Sequence, residues 1–275
     1  MNPEWLQQLI DASFIAATTQ VIEPLASVTN QCWRVSTTLS DKEQALSRQN
    51  EPDYAPSSNG QFECVVKIFS RDEVAVKFSQ LIRKTQQVAQ LELTPPLLRV
   101  DEQQRAVLMP FRRSPTYFTA NLPTEQKIEH LAMHLATLHR QPLNFPEFSV
   151  ADDIQHYCSA LAQSSPLLAQ FQQLPTLTGD QSLVPCHMDP SLNNLLANGE
   201  WLDLEFARLA PPLFDLAAAV TINEFSTAEA KQLFSAYESA TFMRHNAADF
   251  ERFCAWSQWL NDAWYALKGG SEPSC

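Results

Sequence analysis

The residue pattern changes near residue 124, and this change limits the fold more than any other feature of the chain. Before it, β-branched, aromatic and apolar residues form segments typical of short strands, at 28–39, 62–70 and 105–111. A helical stretch at 72–92 precedes the last strand, and Pro95 and Pro96 prevent its continuation. After residue 124 the periodicity is helical, at 125–140, 151–173, 227–243 and 247–268. The chain is therefore predicted to have a strand-rich first third and a mainly helical remainder.

Two segments of the first third are predicted from their polarity. Residues 40–61 are polar and rich in turn-forming residues, which predicts a long mobile connection between strands. The N-terminal stretch has no basic start, and Glu4 and Asp11 interrupt its apolar residues. It is therefore predicted to be an amphipathic helix and not a signal peptide.

Composition limits the classes of partner. The chain has 275 residues, of which 45% are hydrophobic and 18% are charged, and this is enough to bury a sizeable core. Its net charge of -12 argues against a nucleic-acid partner and favours a cationic small molecule, although solubility alone explains such a charge equally well. The sequence has no run of about 18 apolar residues, so no membrane partner is expected. Six cysteines without a C-x-x-C pair indicate reduced thiols, and we expect a cytoplasmic protein.

A short stretch between two of the predicted helices carries chemically active side chains. His187, Asp189 and Asn194 have the spacing H-x-D-x-x-x-x-N. In this spacing an aspartate can orient a hydroxyl and accept its proton, while an asparagine five residues later directs its amide oxygen to a Mg²⁺ on nucleotide phosphates. The three letters also occur by chance, with the aspartate and asparagine as turn residues and the histidine in the core.

The residues after this motif strengthen the chemical interpretation. A turn at 197–200 followed by a strand at 201–206 would place Asp203 beside Asn194 across a hairpin. Mg²⁺ prefers oxygen ligands and takes only one or two carboxylates from a protein. Asp203 and Asn194 are therefore the predicted Mg²⁺ ligands, with Glu205 near the metal or the substrate.

The segments HMDPSLNNLL and WLDLEFARLAPPLFDLA resemble the paired motifs of the aminoglycoside phosphotransferase and choline kinase superfamily. Weaker similarity extends over most of the chain, through VTNQCWRV, Lys67, LTPPLL and MHLATLHRQP. Among the branches, the chain most resembles bacterial thiamine kinase and choline-kinase-like proteins. The resemblance implies a two-lobed, protein-kinase-like α+β fold. Its N-lobe would be a small antiparallel sheet with a helix at 1–108, and its C-lobe would be mainly helical at 109–275.

The resemblance also implies the cofactors ATP and Mg²⁺ and a role for each matching residue. Asp189 would be the catalytic base, and His187 and Asp215 would brace its loop. Asn194 and Asp203 would bind Mg²⁺. The nucleotide-binding residues would be Lys67 on the α- and β-phosphates together with Ser27, Thr29, Asn30 and Met109.

Two features depart from the pattern. The glycines, at 60, 179, 199, 269 and 270, form no G-x-G-x-x-G loop, so nucleotide contacts in the first lobe would fall to the segment that contains Ser27, Thr29 and Asn30. The helix at 72–92 has Glu73 near its start, Glu92 at its end and glutamines in between. The sequence therefore offers no obvious glutamate to pair with Lys67 as the αC glutamate of protein kinases does, and which residue, if any, does so is left open.

The acceptor is predicted to be the hydroxyl of a small cationic alcohol, and the aromatic C-terminal helix offers residues that could bind it. Trp256, Trp259 and Trp264 would suit an organic cation through cation–π attraction, although such a helix is also typical of core packing. Thiamine is the favoured acceptor, followed by choline or another amino alcohol. The alternatives are an aminoglycoside or sugar phosphotransferase of the same fold and a catalytically silent nucleotide- or ligand-binding relative. A monomer or homodimer is expected.

Overall fold

The structure, a computed structural model, describes residues 4–25, 30–49, 51, 54–70, 77–177 and 182–268. Ser27, Thr29, Glu73 and the glycines at 179, 269 and 270, all named in the sequence analysis, lie outside these ranges. The helices are α1 (Glu4–Asp11), α2 (Asp41–Ser47), α3 (Phe78–Gln90), α4 (Thr124–His139), α5 (Val150–Ala160), α6 (Pro166–Phe171), α7 (Pro212–Ile222), α8 (Thr227–Thr241) and α9 (Ala247–Leu267). The strands are β1 (Gln20–Pro24), β2 (Gln31–Thr37), β3 (Phe62–Ile68), β4 (Arg99–Asp101), β5 (Ala106–Pro110), β6 (Val184–Cys186) and β7 (Arg208–Ala210).

The chain divides into two compact units, and each unit is made of two separate segments of the sequence. The first unit is Met1–Pro115 with Leu196–Glu205, and the second is Thr116–Leu195 with Phe206–Cys275. The segment 196–205 is thus enclosed in sequence by the second unit but belongs to the first. No helix in the described part of the chain is long and apolar enough to cross a bilayer.

The first unit is built on an antiparallel sheet with the strand order β1-β2-β3-β5-β4. One face of the sheet, including Cys64 and Val66 of β3, packs in the main apolar cluster with α1. Because side chains alternate along a strand, Lys67 lies on the opposite face, where its register partners are Cys32 and Val107. Val107 packs there with residues of α3. The sheet therefore holds Lys67 on the face that α3 covers.

The second unit places a short loop at the end of a two-stranded sheet. Strands β6 and β7 are antiparallel, with Val184 opposite Ala210 and Cys186 opposite Arg208. The loop that carries the H-x-D-x-x-x-x-N motif begins directly after β6. Helix α7 follows β7, contacts β6 and is buried along most of its length. The motif thus follows strand β6, against which the buried helix α7 packs.

The α+β fold class is confirmed, and two of the finer predictions are wrong. The predicted helix at 151–173 is interrupted between α5 and α6, because Ser165 caps a new helix and Pro166 occupies its first turn. The polar segment at 40–61 contains helix α2. Strands β1 and β4, which the sequence analysis does not predict, complete the sheet at its two edges.

Helix α2 is stabilised by a capping box that is tied to the sheet. The Ser40 hydroxyl accepts a hydrogen bond from the Glu43 amide, and the Ser40 amide donates to the Glu43 carboxylate over 2.7 Å. Arg99 at the start of β4 donates from Nε to the same carboxylate over 2.6 Å. Burial alone would raise the pKa of Glu43, but Arg99 and Ser40 outweigh it and lower the pKa from 4.5 to about 2.

Acid is therefore expected to destabilise the protein in part through Glu43. A carboxyl whose pKa is lower in the folded than in the unfolded state stabilises the fold above pH 4.5, and this contribution is lost as the pH falls toward about 2. In Glu43→Gln, the free energy of unfolding should be lower at pH 7 and should decrease less between pH 4.5 and 2 than in the wild type. Urea unfolding across this pH range measures both. The control is Glu229→Gln, which removes the equivalent carboxylate from the capping box of α8 and leaves Arg99 unaffected. An equal loss of pH dependence in this control would contradict the role of the pair between Arg99 and Glu43.

Candidate functional site

In the first unit, a buried lysine pairs with an aspartate of the predicted metal site. Lys67 is only 7% exposed, and its Nζ donates to Asp203 Oδ1 over 2.6 Å. Burial would lower the pKa of Lys67, but the negative charges of Asp203 and Glu205 outweigh burial and raise it. The Lys67 ammonium group is therefore charged at neutral pH.

Asp203 lies in a turn and not in a strand. The segment turns back at Gly199, which has a φ of 92°, and the Trp201 amide donates to the Leu93 carbonyl over 2.7 Å. Asp203 has a left-handed φ of 56°, and a 3-10 helix follows at Leu204–Phe206. The predicted strand at 201–206 is therefore wrong, because an aspartate tolerates the left-handed conformation, which ends an extended segment.

Asn30 holds the carboxylate of Glu205. Its Nδ2 donates to Glu205 Oε2 over 3.1 Å, and its Oδ1 accepts a hydrogen bond from the Ser70 amide over 3.2 Å. Both Asn30 and Glu205 are buried. Asn30, predicted to contact the nucleotide, thus has a contact with Glu205 that the sequence analysis did not anticipate.

Helix α3 contributes a buried lysine to this part of the first unit, and no glutamate. Its sequence, FSQLIRKTQQVAQ, contains no acidic residue. Lys84 is 3% exposed, and its Nζ donates to the backbone carbonyl of Glu205 over 2.8 Å. The sequence analysis missed Lys84, although its spacing from Leu81 and Val88 places it on the apolar face of the helix.

Two further residues of the first unit have defined positions. Met109 lies in β5 opposite Val65, half-buried against the apolar cluster of α3.

Arg112 follows β5 and forms a buried ion pair with Glu200, from Nε over 2.7 Å and from Nη2 over 2.8 Å. Its Nη1 donates to the Ser47 carbonyl over 2.7 Å. The sequence analysis missed this pair, which joins residues 88 positions apart.

In the second unit, the loop after β6 brings Asp189 and Asn194 into direct contact. Asn194 Nδ2 donates to the Asp189 carbonyl over 3.1 Å and to Asp189 Oδ2 over 2.9 Å. Because the amide nitrogen faces Asp189, the amide oxygen is the atom that Asn194 can offer to a cation. This orientation is the one that a metal-binding asparagine needs.

Asp215 of α7 braces the backbone of this loop. Its carboxylate accepts hydrogen bonds from the amides of His187 and Met188, each over 2.7 Å. His187 is fully buried, and its Nδ1 accepts from the Asp189 amide over 3.3 Å. Met188 has a left-handed φ of 69°, which the two bonds to Asp215 help to hold. The structure thus places His187 and Asp215 beside the loop, and their part in catalysis stays a prediction.

Buried polar side chains extend this bracing away from the loop. His139 of α4 forms hydrogen bonds with Asp215 Oδ2 over 3.1 Å and with the Tyr237 hydroxyl over 2.7 Å. His139, Asp215 and Cys186 lie close enough together to hold a metal ion. However, Asp215 already accepts the two loop amides, and Cys186 donates to the Ala210 carbonyl, with burial raising the pKa of its thiol. The group is therefore explained as a hydrogen-bond network that supports the loop.

The tryptophans of α9 lie in different surroundings from those expected for a cation site. Trp256 and Trp259 are buried, and their indole nitrogens donate to the backbone carbonyls of Pro175 and Leu167. Trp259 belongs to the apolar cluster of α5, α6 and α9. Trp264 is half-buried and faces Lys268, whose Nζ lies 5.7 Å from its ring centroid. This packing explains Trp256 and Trp259 as core residues and gives them no role as substrate contacts.

The donor atoms in each unit fit the cation that the motif implies. The first unit offers the carboxylates of Asp203 and Glu205, and the second offers the amide oxygen of Asn194. These are hard oxygen donors of the kind that Mg²⁺ prefers, without a thiolate or imidazole among them. The donors present in each unit are therefore of the kind that a magnesium ion on nucleotide phosphates would need.

Together, the small antiparallel sheet with its buried lysine and the braced H-x-D-x-x-x-x-N loop define a phosphotransferase with a protein-kinase-like fold. The chain belongs to the phosphotransferase enzyme family, whose sequence profile matches residues 54–256. The predicted resemblance to the aminoglycoside phosphotransferase and choline kinase superfamily is thus confirmed. The chain is also 27% identical to Protein LicA of Haemophilus influenzae in an alignment 169 residues long, which covers 54% of this chain and 50% of that protein. The match therefore spans about half the length of this curated relative.

Solved structures share the fold at low sequence identity. A choline/ethanolamine kinase family protein of Mesorhizobium loti superposes with a TM-score of 0.67 and 16% identity, covering 96% of this chain and 83% of that one. Choline kinase LicA of Streptococcus pneumoniae superposes with a TM-score of 0.66 and 15% identity, covering 98% and 92%. An aminoglycoside-3'-phosphotransferase of type VIII gives 0.61 and 15%, covering 94% and 100%. These similarities establish the two-lobed α+β fold.

Proposed function

We propose that the protein is an ATP-dependent kinase that transfers the γ-phosphoryl group to the hydroxyl of a small cationic alcohol. The observation that carries this proposal is the braced loop, in which Asp215 accepts hydrogen bonds from the amides of His187 and Met188 and Asn194 contacts Asp189. A catalytically silent protein would have no need to keep this aspartate, asparagine and brace together. The family match supports the same reaction class.

Each side chain has a task that its geometry suits. Asp189 would orient the acceptor hydroxyl and receive its proton. Lys67, a buried cation, would bind oxygens of the α- and β-phosphates. Asn194 and Asp203 would hold Mg²⁺, which when bound neutralises charge on the β- and γ-phosphates. Since phosphoryl transfer needs positioning and charge neutralisation more than covalent participation, these residues suffice for the reaction.

The acceptor is proposed from the charge of the chain and from its relatives. A net charge of -12 favours a cationic alcohol over a neutral sugar. The sequence resemblance favours thiamine, whereas the solved relatives named as choline or ethanolamine kinases favour an amino alcohol. We therefore propose thiamine and choline as the first acceptors to test. The structural similarity to an aminoglycoside phosphotransferase makes an aminoglycoside the second candidate.

The test is ADP release with Mg²⁺-ATP and a panel of thiamine, choline, ethanolamine, homoserine and an aminoglycoside. Asp189→Ala, assayed in parallel, gives the background. One acceptor should raise ADP release in the wild type and not in the variant, and mass spectrometry should find the phosphorylated alcohol. If Mg²⁺-ATP fails to bind to the wild type, the kinase proposal is wrong.

A further inference from the structure

Lys84 is a buried charge for which the proposed reaction has no direct use. It lies at the centre of α3 between Leu81 and Val88, on the apolar face of the helix, and is 3% exposed. Burying an ammonium group without a partner costs several kcal/mol, so a lysine persists on such a face only where its Nζ has a specific hydrogen bond. Its Nζ donates to the Glu205 carbonyl over 2.8 Å.

This hydrogen bond acts on the segment that presents Asp203. The backbone between Asp203 and Glu205 leaves a left-handed residue and enters the 3-10 helix at Leu204–Phe206, so its course depends on contacts from outside. Asn30 holds the Glu205 side chain, and Lys84 holds the Glu205 backbone. With both contacts in place, the Asp203 carboxylate lies 2.6 Å from the Lys67 ammonium group.

We propose that Lys84 is a positioning residue, which holds the Glu205 carbonyl and thereby orients the Asp203 carboxylate for Mg²⁺. In protein kinases a glutamate of the corresponding helix orients the phosphate-binding lysine. Here the charges are exchanged, because the helix supplies a cation and acts on the segment that carries the carboxylates. The inference rests on the proposed function, since it takes Asp203 as a Mg²⁺ ligand.

The test measures metal binding and not turnover. Mn²⁺ replaces Mg²⁺ as a paramagnetic probe, and its affinity is measured by electron paramagnetic resonance on the full chain with a non-hydrolysable ATP analogue. Lys84→Met keeps an unbranched side chain, one atom shorter than lysine, and removes the donor. Loss of a residue that orients a metal ligand typically weakens metal affinity by about 10–100-fold, and we expect a loss in this range. Arg83→Met is the matched control, since Arg83 is the exposed neighbour on the same helix, and its affinity should match the wild type.

Coupling to Asp203 separates positioning from general loss of structure. Asp203→Asn should weaken Mn²⁺ binding by itself, and adding Lys84→Met should then cause little further loss, because Lys84 acts through Asp203. A merely structural role would give losses that multiply in the double variant. If Lys84→Met does not fold, Lys84→Gln takes its place in both titrations, because its shorter amide does not reach the Glu205 carbonyl and the same weakening is expected.

The outcomes distinguish this inference from the proposed function. Wild-type affinity in Lys84→Met, with Mn²⁺-nucleotide binding intact in the wild type, would overturn the role of Lys84 and leave the kinase proposal standing. Multiplying losses in the double variant would overturn it as well. Failure of the wild type to bind Mn²⁺ with the analogue would overturn both. The inference would be established if Lys84→Met weakens Mn²⁺ binding, Arg83→Met does not, and Lys84→Met causes little further loss in the Asp203→Asn variant.

Discussion

Asp189→Asn is expected to lower kcat by about 10²–10⁴-fold, the usual contribution of a general base. The substitution keeps the shape of the side chain and a carbonyl oxygen for the hydrogen bond from Asn194 Nδ2, which is 2.9 Å long in the wild type. It removes the group that would accept the hydroxyl proton. The brace from Asp215 to the His187 and Met188 amides is unaffected. The loop should therefore stay in place while the chemical step fails.

Steady-state kinetics with the acceptor found in the panel, together with calorimetric binding of Mg²⁺-nucleotide, measure these two effects separately. Nucleotide affinity should stay close to that of the wild type, because the proposed phosphate and metal contacts are Lys67, Asn194 and Asp203. Asn193→Ala is the control, since Asn193 lies in the same loop but its side chain is exposed, and its kcat should be unchanged. A kcat of Asp189→Asn within a few-fold of the wild type would exclude Asp189 as the base.

Glu200→Leu is expected to lower the free energy of unfolding by about 3–5 kcal/mol, the usual effect of removing one partner of a buried ion pair. Arg112 and Glu200 are 2% and 0% exposed at their side chains, so the remaining guanidinium would be buried without its counter-charge. Arg112→Leu should have an effect of similar size. The double variant should recover much of the loss, because two apolar side chains leave no uncompensated charge.

Urea unfolding of the two single variants and the double variant gives the coupling free energy of the pair. A surface pair supplies the comparison: the Arg244 side chain is 90% exposed beside Glu238, and Arg244→Leu should change stability by no more than about 1 kcal/mol. Equal effects at the two sites, or additive losses in the Arg112–Glu200 double variant, would contradict a strong buried interaction.

The parts of the site that lie in one short motif could be predicted from the sequence. Asp189 and Asn194 are five residues apart, and a loop of that length brings them into contact by itself. Lys67 was recognisable because a lysine interrupts an otherwise apolar strand. The strands β2, β3 and β5 were predictable for a similar reason, since their apolar character is continuous over several residues.

Features that depend on distant residues or on a single dihedral angle could not be predicted. The pair Arg112–Glu200 and the contact from Lys84 to Glu205 join residues far apart in the sequence, and neither member of each pair indicates its partner. The left-handed Asp203 turned a predicted strand into a turn. Trp256 and Trp259 were predicted to contact the substrate but are buried in the core. The sequence could not separate the two cases, because aromatic residues have the same spacing on a helix that lines a ligand site and on one that packs in a core. Helix α2 was missed although Ser40 and Glu43 have the S-x-x-E signature of a capping box.

The assignment of residues 196–205 to the first unit determines when that unit can be completed during synthesis. Arg112 and Lys67 emerge from the ribosome well before their acidic partners, Glu200 and Asp203. About 80 residues of the second unit are therefore synthesised before both cations can be neutralised. Their synthesis takes roughly 4–16 s at 5–20 residues per second. A fragment that ends at residue 115 would keep the same two cations without their acids. The first unit can therefore be completed only after about 80 residues of the second unit have been synthesised.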